Sequence, residues 1–239
     1  MSSMIFRINF VLISVFCLLV GFLFINVALA EEPEVIFSWK ANSYAPEWFG
    51  GKIFPINQSK ITTSFEAVSQ NNSDFGKILN LSSKNIKWFV NNSLYKEGKG
   101  LKSVVITKDD FPRDNIEVKI NFEIFDENKN YNLFVNRYFS IPIVSPEIVI
   151  SHKKTDLLVS LNEKINFKAF PFFFSGSLKN LTAKWTVNSI QVERDFENLF
   201  DLVLNIASES PTKQVTVEGF INNLNNQRES ASKSILFKF

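Results

Sequence analysis

From Pro33 onward the chain reads twice, and this repeat limits its fold more than any other feature. Pro33-Glu34-Val35-Ile36-Phe37-Ser38-Trp39-Lys40 matches Pro146-Glu147-Ile148-Val149-Ile150-Ser151-His152-Lys153, with Pro, Glu, Ser and Lys identical. Phe65-Glu66-Ala67 matches Phe167-Lys168-Ala169, and Lys87-Trp88-Phe89-Val90-Asn91 matches Lys184-Trp185-Thr186-Val187-Asn188. Ile116-Glu117-Val118 then corresponds to Val215-Thr216-Val217, and Ser140-Ile141 to Ser234-Ile235. The order holds throughout, and each Trp stands at a similar distance from its final Ser, 52 and 49 residues. Two copies of one unit in series are expected, residues 33–145 and 146–239.

Within each copy the apolar residues alternate. Ile116, Val118, Ile120, Phe122 and Ile124 are interleaved with Glu117, Lys119, Asn121 and Glu123, the period of a half-buried strand. Leu202-Leu204-Ile206, Val215-Val217 and Ile235-Phe237-Phe239 follow the same rule. Turn-forming stretches such as Gln70 to Gly76, Asp126 to Asn130 and Asn222 to Arg228 separate them. Gln191 to Phe200 is ambiguous, because Val192, Phe196 and Phe200 also fit a helical turn. Short strands in units of this size predict two β-sandwiches. Trp88 and Trp185 are the expected core residues between the sheets, with Val90 and Val187 pointing the same way.

Residues 1–30 are set apart from this pattern. Arg7 precedes an apolar run from Phe10 to Val27, and Ala28-Leu29-Ala30 leads into Glu31-Glu32. A basic start, an apolar centre and a small-x-small exit make a secretory signal peptide. Ile8 to Ala30 is also long enough to cross a bilayer as a helix, so an uncleaved membrane anchor is the other reading. Either predicts export: an extracytoplasmic position in the cell envelope, secreted or membrane-anchored, with membrane contact only through residues 8–30 if they are retained. The one cysteine, Cys17, and both methionines lie in this segment. The remainder therefore has no disulfide or thiolate metal site and must stand on its hydrophobic core. The chain has 26 basic residues, and without Arg7 25 remain against 24 acidic ones. No basic face is visible on that balance, which argues against nucleic acid as the main partner.

The cysteine-free pattern, with a strand reading Trp-x-x-Asn in both copies (Trp88 to Asn91, Trp185 to Asn188), resembles bacterial immunoglobulin-like and PKD-like domains. The resemblance covers residues 33–239. It implies an all-β chain of two tandem immunoglobulin-like β-sandwich domains after an N-terminal signal or anchor helix. More narrowly, the layout is similar to uncharacterised exported proteins of candidate-phylum bacteria, families that imply location and fold but no chemistry. The expected role is then a non-catalytic structural or interaction module, with another envelope or surface protein as partner and no cofactor.

Two departures from the repeat mark candidate surfaces. Glu34 to Ile61 is 27 residues, whereas Glu147 to Ile165 is 18, so the first unit carries about nine extra residues in its early loop. That loop concentrates Tyr44, Trp48 and Phe49 beside Gly50-Gly51. Exposed aromatic anchors on a rigid scaffold bind glycans or partner chains; the other reading has Trp48 and Phe49 covering the open edge of their own sandwich. Phe170-Pro171-Phe172-Phe173-Phe174-Ser175-Gly176 is taken as the comparable region of the second unit, too apolar for full exposure and suited to core or junction packing or to packing against another protein. No flexible linker separates the units. Ile143-Val144-Ser145-Pro146 joins closing strand to opening strand, and Pro146 biases Ser145 toward extended backbone.

Catalysis has little to stand on. His152 is the only histidine, no Gly-x-Ser-x-Gly elbow occurs, and a histidine-built zinc site is excluded by count. Asp109, Asp110 and Asp114 share one loop, and Asp126 and Glu127 another, but neither has regular calcium-loop spacing, and both read as solvated turns.

Overall fold

The computed structural model describes residues 32–70, 74–107, 115–126, 131–152, 164–192, 199–205 and 214–238. Among these, the alternating segments form β-strands, and no helix is long and apolar enough to cross a membrane. The first unit contains β1 (Glu34–Ala41), β2 (Ile61–Val68), β3 (Asn85–Val90), β4 (Ser93–Lys99), β5 (Ser103–Ile106), β6 (Asn115–Asp126) and β7 (Tyr131–Pro142). The second contains β8 (Glu147–His152), β9 (Lys164–Phe172), β10 (Leu181–Val187), β11 (Ile190–Gln191), β12 (Asp201–Asn205), β13 (Gln214–Asn223) and β14 (Asn226–Lys238).

The strand order repeats. In the first unit a sheet β1-β2-β5 faces a sheet β4-β3-β6-β7; in the second, β8-β9-β12 faces β11-β10-β13-β14. All neighbouring pairs are antiparallel. Seven strands in two facing sheets, with the third strand crossing to the second sheet, is the immunoglobulin-like sandwich. The chain is therefore all-β, with two such domains in tandem. Each has its own core, one around Phe65, Trp88 and Phe122, the other around Phe167, Trp185 and Phe237.

The Trp-x-x-Asn segments do the same physical work in both domains. Trp88 and Trp185 are fully buried on β3 and β10. An indole N–H removed from water needs an acceptor. Trp88 donates to the Leu101 carbonyl at 2.7 Å and Trp185 to the Leu199 carbonyl at 3.2 Å, each two residues before the strand that closes the three-stranded sheet. Three residues on, Asn91 and Asn188 adopt φ of +48° and +50° and begin tight turns. Asn tolerates this left-handed region better than most residues. Its side chain also accepts from the neighbouring strand, Asn91 Oδ1 from Glu117 N–H at 3.0 Å and Asn188 Oδ1 from Thr216 N–H at 2.9 Å. In return the Asn N–H groups donate to the Glu117 and Thr216 carbonyls. Val90 is buried, while Val187 packs on the rim of its core, half-buried.

The structure corrects the repeat at its last match. Ser140 pairs with Glu117, but Leu236, not Ser234, pairs with the equivalent Thr216. Likewise Ile141 opposite Ile116 corresponds to Phe237 opposite Val215. The slip is two residues. A shift by the strand period keeps every side chain on its face, so alternation alone does not detect it.

Candidate functional site

The early loop of domain one is closed at its base. Asn42 N–H donates to the Lys60 carbonyl, and Lys60 N–H returns a bond to Asn42 Oδ1 at 2.8 Å. Inside the loop the Ser43 hydroxyl donates to the Phe54 carbonyl, and Phe49 N–H donates to the Pro46 carbonyl at 2.9 Å, making a tight turn that carries Trp48. The next residues leave their own domain. Tyr44 N–H donates to the Phe174 carbonyl at 2.6 Å, and Phe173 N–H donates to the Tyr44 carbonyl at 2.7 Å. Val144 N–H donates to the Pro55 carbonyl at 3.0 Å, tying the interdomain connection to the same loop.

Rings fill the space between. Trp48 meets Phe170 and Phe172 edge-on with centroids 5.2 and 5.8 Å apart. Phe49 meets Phe172 at 5.2 Å and Phe173 at 6.3 Å, and Phe54 meets Phe173 at 5.7 Å. Edge-to-face geometry at these separations is favourable beyond area burial. Ile56, Phe172 and Phe173 are buried in this third cluster, distinct from both sandwich cores. Phe173 is held at φ +59°, costly for a non-glycine residue, and its burial offsets the strain.

The receiving side has a polar brace. Glu229 is 5% exposed, and its Oε2 accepts from Ser175 N–H at 2.8 Å, the Ser175 hydroxyl at 2.9 Å and Asn223 Nδ2 at 2.8 Å. Oε1 accepts from Asn226 Nδ2 at 2.8 Å. A buried carboxylate with four donors is satisfied without a cation, and it fixes the turn after β9 that presents Phe172 and Phe173.

Trp48 and Phe49 thus lie against domain two rather than over the open edge of their own sandwich, while Phe54 and Lys52 of the same loop pack on Trp39 of β1. Tyr44 and Phe49 are half-buried there. Burial, and secondarily the Glu47 carboxylate, raises the Tyr44 phenol pKa above its usual value. Trp48 keeps 62% of its surface exposed despite its two ring contacts. Phe170–Phe174 is also not the comparable region of domain two. The early loop connects the first two strands of domain one, whereas Phe170–Phe172 ends β9, the second strand of its domain. The two segments sit at opposite ends of the repeat, which is why head-to-tail stacking brings them together.

A second surface was not evident from the sequence. On the outer face of β3-β6-β7, register places Phe89, Lys119 and Tyr138 side by side. The Lys119 ammonium lies 5.1 Å from the Phe89 ring and 5.5 Å from the Tyr138 ring. Tyr138 is 68% exposed beside an open depression of about 350 Å³, lined also by Asn92, Glu117 and Ser140. Alternation shows that each residue faces out; only the cross-strand register shows that they meet.

His152 sits on β8 with its ring edge against Phe237, centroids 5.3 Å apart, and 6.3 Å from Phe167. Among the described residues, no group of three or more His, Cys, Asp or Glu side chains could hold a metal ion. Asp109, Asp110, Asp114, Glu127 and Phe196, like residues 1–30, lie outside the described residues, as does the side chain of Asp126.

No family model and no curated relative matches the sequence. Solved structures are similar in fold at low identity. The three N-terminal domains of the highly immunogenic outer capsid protein of bacteriophage RB49 match at 11% identity and a TM-score of 0.41, over 86% of this chain. This chain spans 59% of that structure. Fibronectin(III)-like modules of Clostridium thermocellum CbhA match at 9% identity and 0.29, covering 86% of this chain and 93% of theirs. SGBP-B of Bacteroides ovatus, solved with a mixed-linkage heptasaccharide, matches at 12% identity and 0.26, covering 87% and 47%.

Proposed function

We propose that the chain is a non-catalytic structural and interaction module of a bacterial cell envelope, a two-domain rod on the extracytoplasmic side that holds a partner-binding surface at fixed orientation. The aromatic junction carries this reading. A hinged clamp needs a loose connection, whereas here backbone bonds from Tyr44, Phe173 and Val144 and the Trp48, Phe49 and Phe54 rings join the domains. The signal-or-anchor pattern of residues 1–30 supports the location, and another envelope or surface protein is the partner.

Two measurements test it. Protease added to spheroplasts of an expressing bacterium digests both domains if they face outward; full protection overturns the location. Spin labels at Ile36→Cys and Val203→Cys, one exposed position in each domain, in a Cys17→Ser background, give a narrow distance distribution if the rod is stiff. A broad distribution overturns the rod.

A carbohydrate-binding module is the second reading, favoured by the Tyr138 depression, where an exposed ring stands beside Asn92, Glu117 and Ser140. In the early loop Trp48, rather than Tyr44 or Phe49, keeps an open ring for the same purpose. A glycan array with Tyr138→Ala and Trp48→Ala separates the two surfaces. Loss of binding in one variant assigns the surface, and undiminished binding in both removes the reading.

A further inference from the structure

The end of domain one opposite the junction also shows apolar side chains. After β2 the chain folds back on itself. Ser69 N–H donates to the Lys77 carbonyl at 2.9 Å, Gly76 N–H to the Ser69 carbonyl at 3.0 Å, and Leu79 N–H to the Ala67 carbonyl at 2.8 Å. Lys77 N–H donates to the Asp74 carbonyl at 3.0 Å, closing a turn in which Gly76 takes φ +81°. This well-bonded turn holds Phe75 71% exposed and Ile78 65% exposed. Between them Lys77 pairs with Asp74 at the surface. A turn with this many backbone bonds presents its apolar side chains outward at a fixed position.

The same end is where the chain enters the domain. Glu34 pairs with Val68, Val68 bridges Ile78, and Gln70 Nε2 donates to Glu34 Oε2 at 3.0 Å. Immediately upstream, Arg137 on β7 donates from Nη1 to Glu32 Oε2 at 2.5 Å and from Nη2 to the Pro33 carbonyl at 3.2 Å. The entering residues are therefore fixed to the sandwich. In the sequence the bilayer-length segment 8–30 ends at Ala30, four Cα steps before Glu34. Four steps reach on the order of 14 Å at full extension. The polar layer on each side of a bilayer's hydrocarbon is roughly 5–8 Å deep. A retained residue 8–30 segment therefore brings the Phe75 turn within reach of the headgroup layer.

We infer that Phe75 and Ile78 seat this end of domain one in the headgroup–acyl boundary of the membrane that holds residues 8–30. Apolar side chains partition there while Lys77 reaches the polar layer. With the chain entry, the turn makes more than one point of contact, which sets the tilt of the rod as well as its attachment. The inference rests on reading residues 8–30 as a retained anchor within the proposed envelope function.

The test uses the full chain with Cys17→Ser and one spin label at a time, at Phe75→Cys, Ile78→Cys or, as a remote exposed reference, Ile190→Cys. Each protein is reconstituted in phosphatidylethanolamine–phosphatidylglycerol vesicles, and collision rates with oxygen and with a water-soluble nickel chelate are compared. Labels at 75 and 78 are expected to meet nickel several-fold less often, and oxygen more often, than the label at 190. Equal nickel access at all three sites, with the anchor intact by mass, overturns the membrane seat and leaves the anchored reading standing. A mass beginning at Glu31 in membrane preparations overturns both.

Discussion

The two domains share a strand order, a buried Trp with its carbonyl acceptor, and an Asn turn, yet they differ in the loops at which they meet. Domain one lengthens the connection between its first two strands and fills it with rings. Domain two compresses the connection between its second and third strands into Phe173–Asn180 and braces it on Glu229. The shared parts answer a requirement both units face alone, which is to close a core without disulfides. The differing parts answer one that arises only between them. A repeat therefore separates what folds a domain from what joins two, and substitutions should divide the same way.

Removing a shared core residue should have the largest effect. Trp88→Ala and Trp185→Ala each delete a fully buried indole and should cost about 3–5 kcal/mol. Urea unfolding followed domain by domain should show each variant destabilising its own sandwich first. If Trp185→Ala weakens domain one as much as domain two, the cores are not independent. Phe172→Ala comes next, because Phe172 is buried and meets Trp48 and Phe49. It should cost about 3 kcal/mol, mostly as coupling, and split one unfolding transition into two. A single shifted transition would show that the ring cluster belongs to one core rather than to the junction.

The Asn turns test whether two matching devices are energetically equal. Asn91→Ala and Asn188→Ala each lose an accepted hydrogen bond and force Ala to positive φ, for about 1–2 kcal/mol. Asn→Gly keeps the backbone conformation and should recover part of that loss at both sites. A gain at only one site would show that the other turn depends on its side-chain bond alone.

Much of the shared part was legible in the sequence and little of the joining part. Alternation located the strands because one face of each is buried, and Trp88, Trp185 and the two Asn residues stood out because they recur. The offset at Ser140 and Ser234 escaped because a two-residue slip leaves alternation unchanged. Tyr44, Trp48 and Phe49 were identifiable as a cluster, but their neighbour lies more than a hundred residues away, and no local pattern records which end of one sandwich meets which end of the next. Glu229 gave no signal at all: a carboxylate in a polar hairpin reads as solvated until Ser175, Asn223 and Asn226 are seen around it. The Phe89, Lys119 and Tyr138 group was hidden for the same reason, since register is a property of paired strands.

The smallest expected effect is on pH, and it reports on the junction alone. Burial first, and the Glu47 carboxylate second, raise the Tyr44 phenol pKa above its ordinary value near 10. A group whose folded pKa is raised contributes stability that is fully present below its unfolded pKa. Above that value the unfolded chain gives up the proton while the folded chain still holds it, so stability falls as pH rises toward the folded pKa. Tyr44→Phe removes this term and leaves the Tyr44 backbone bonds to Phe173 and Phe174 in place. The difference in unfolding midpoint between wild type and Tyr44→Phe should therefore stay constant below about pH 9 and change by about pH 11, with wild type losing ground. The rest of the chain is identical in the two proteins and cancels in the difference. A flat difference across that range would mean the Tyr44 hydroxyl reaches water in the folded chain, and that the junction is looser at Tyr44 than its two backbone bonds imply.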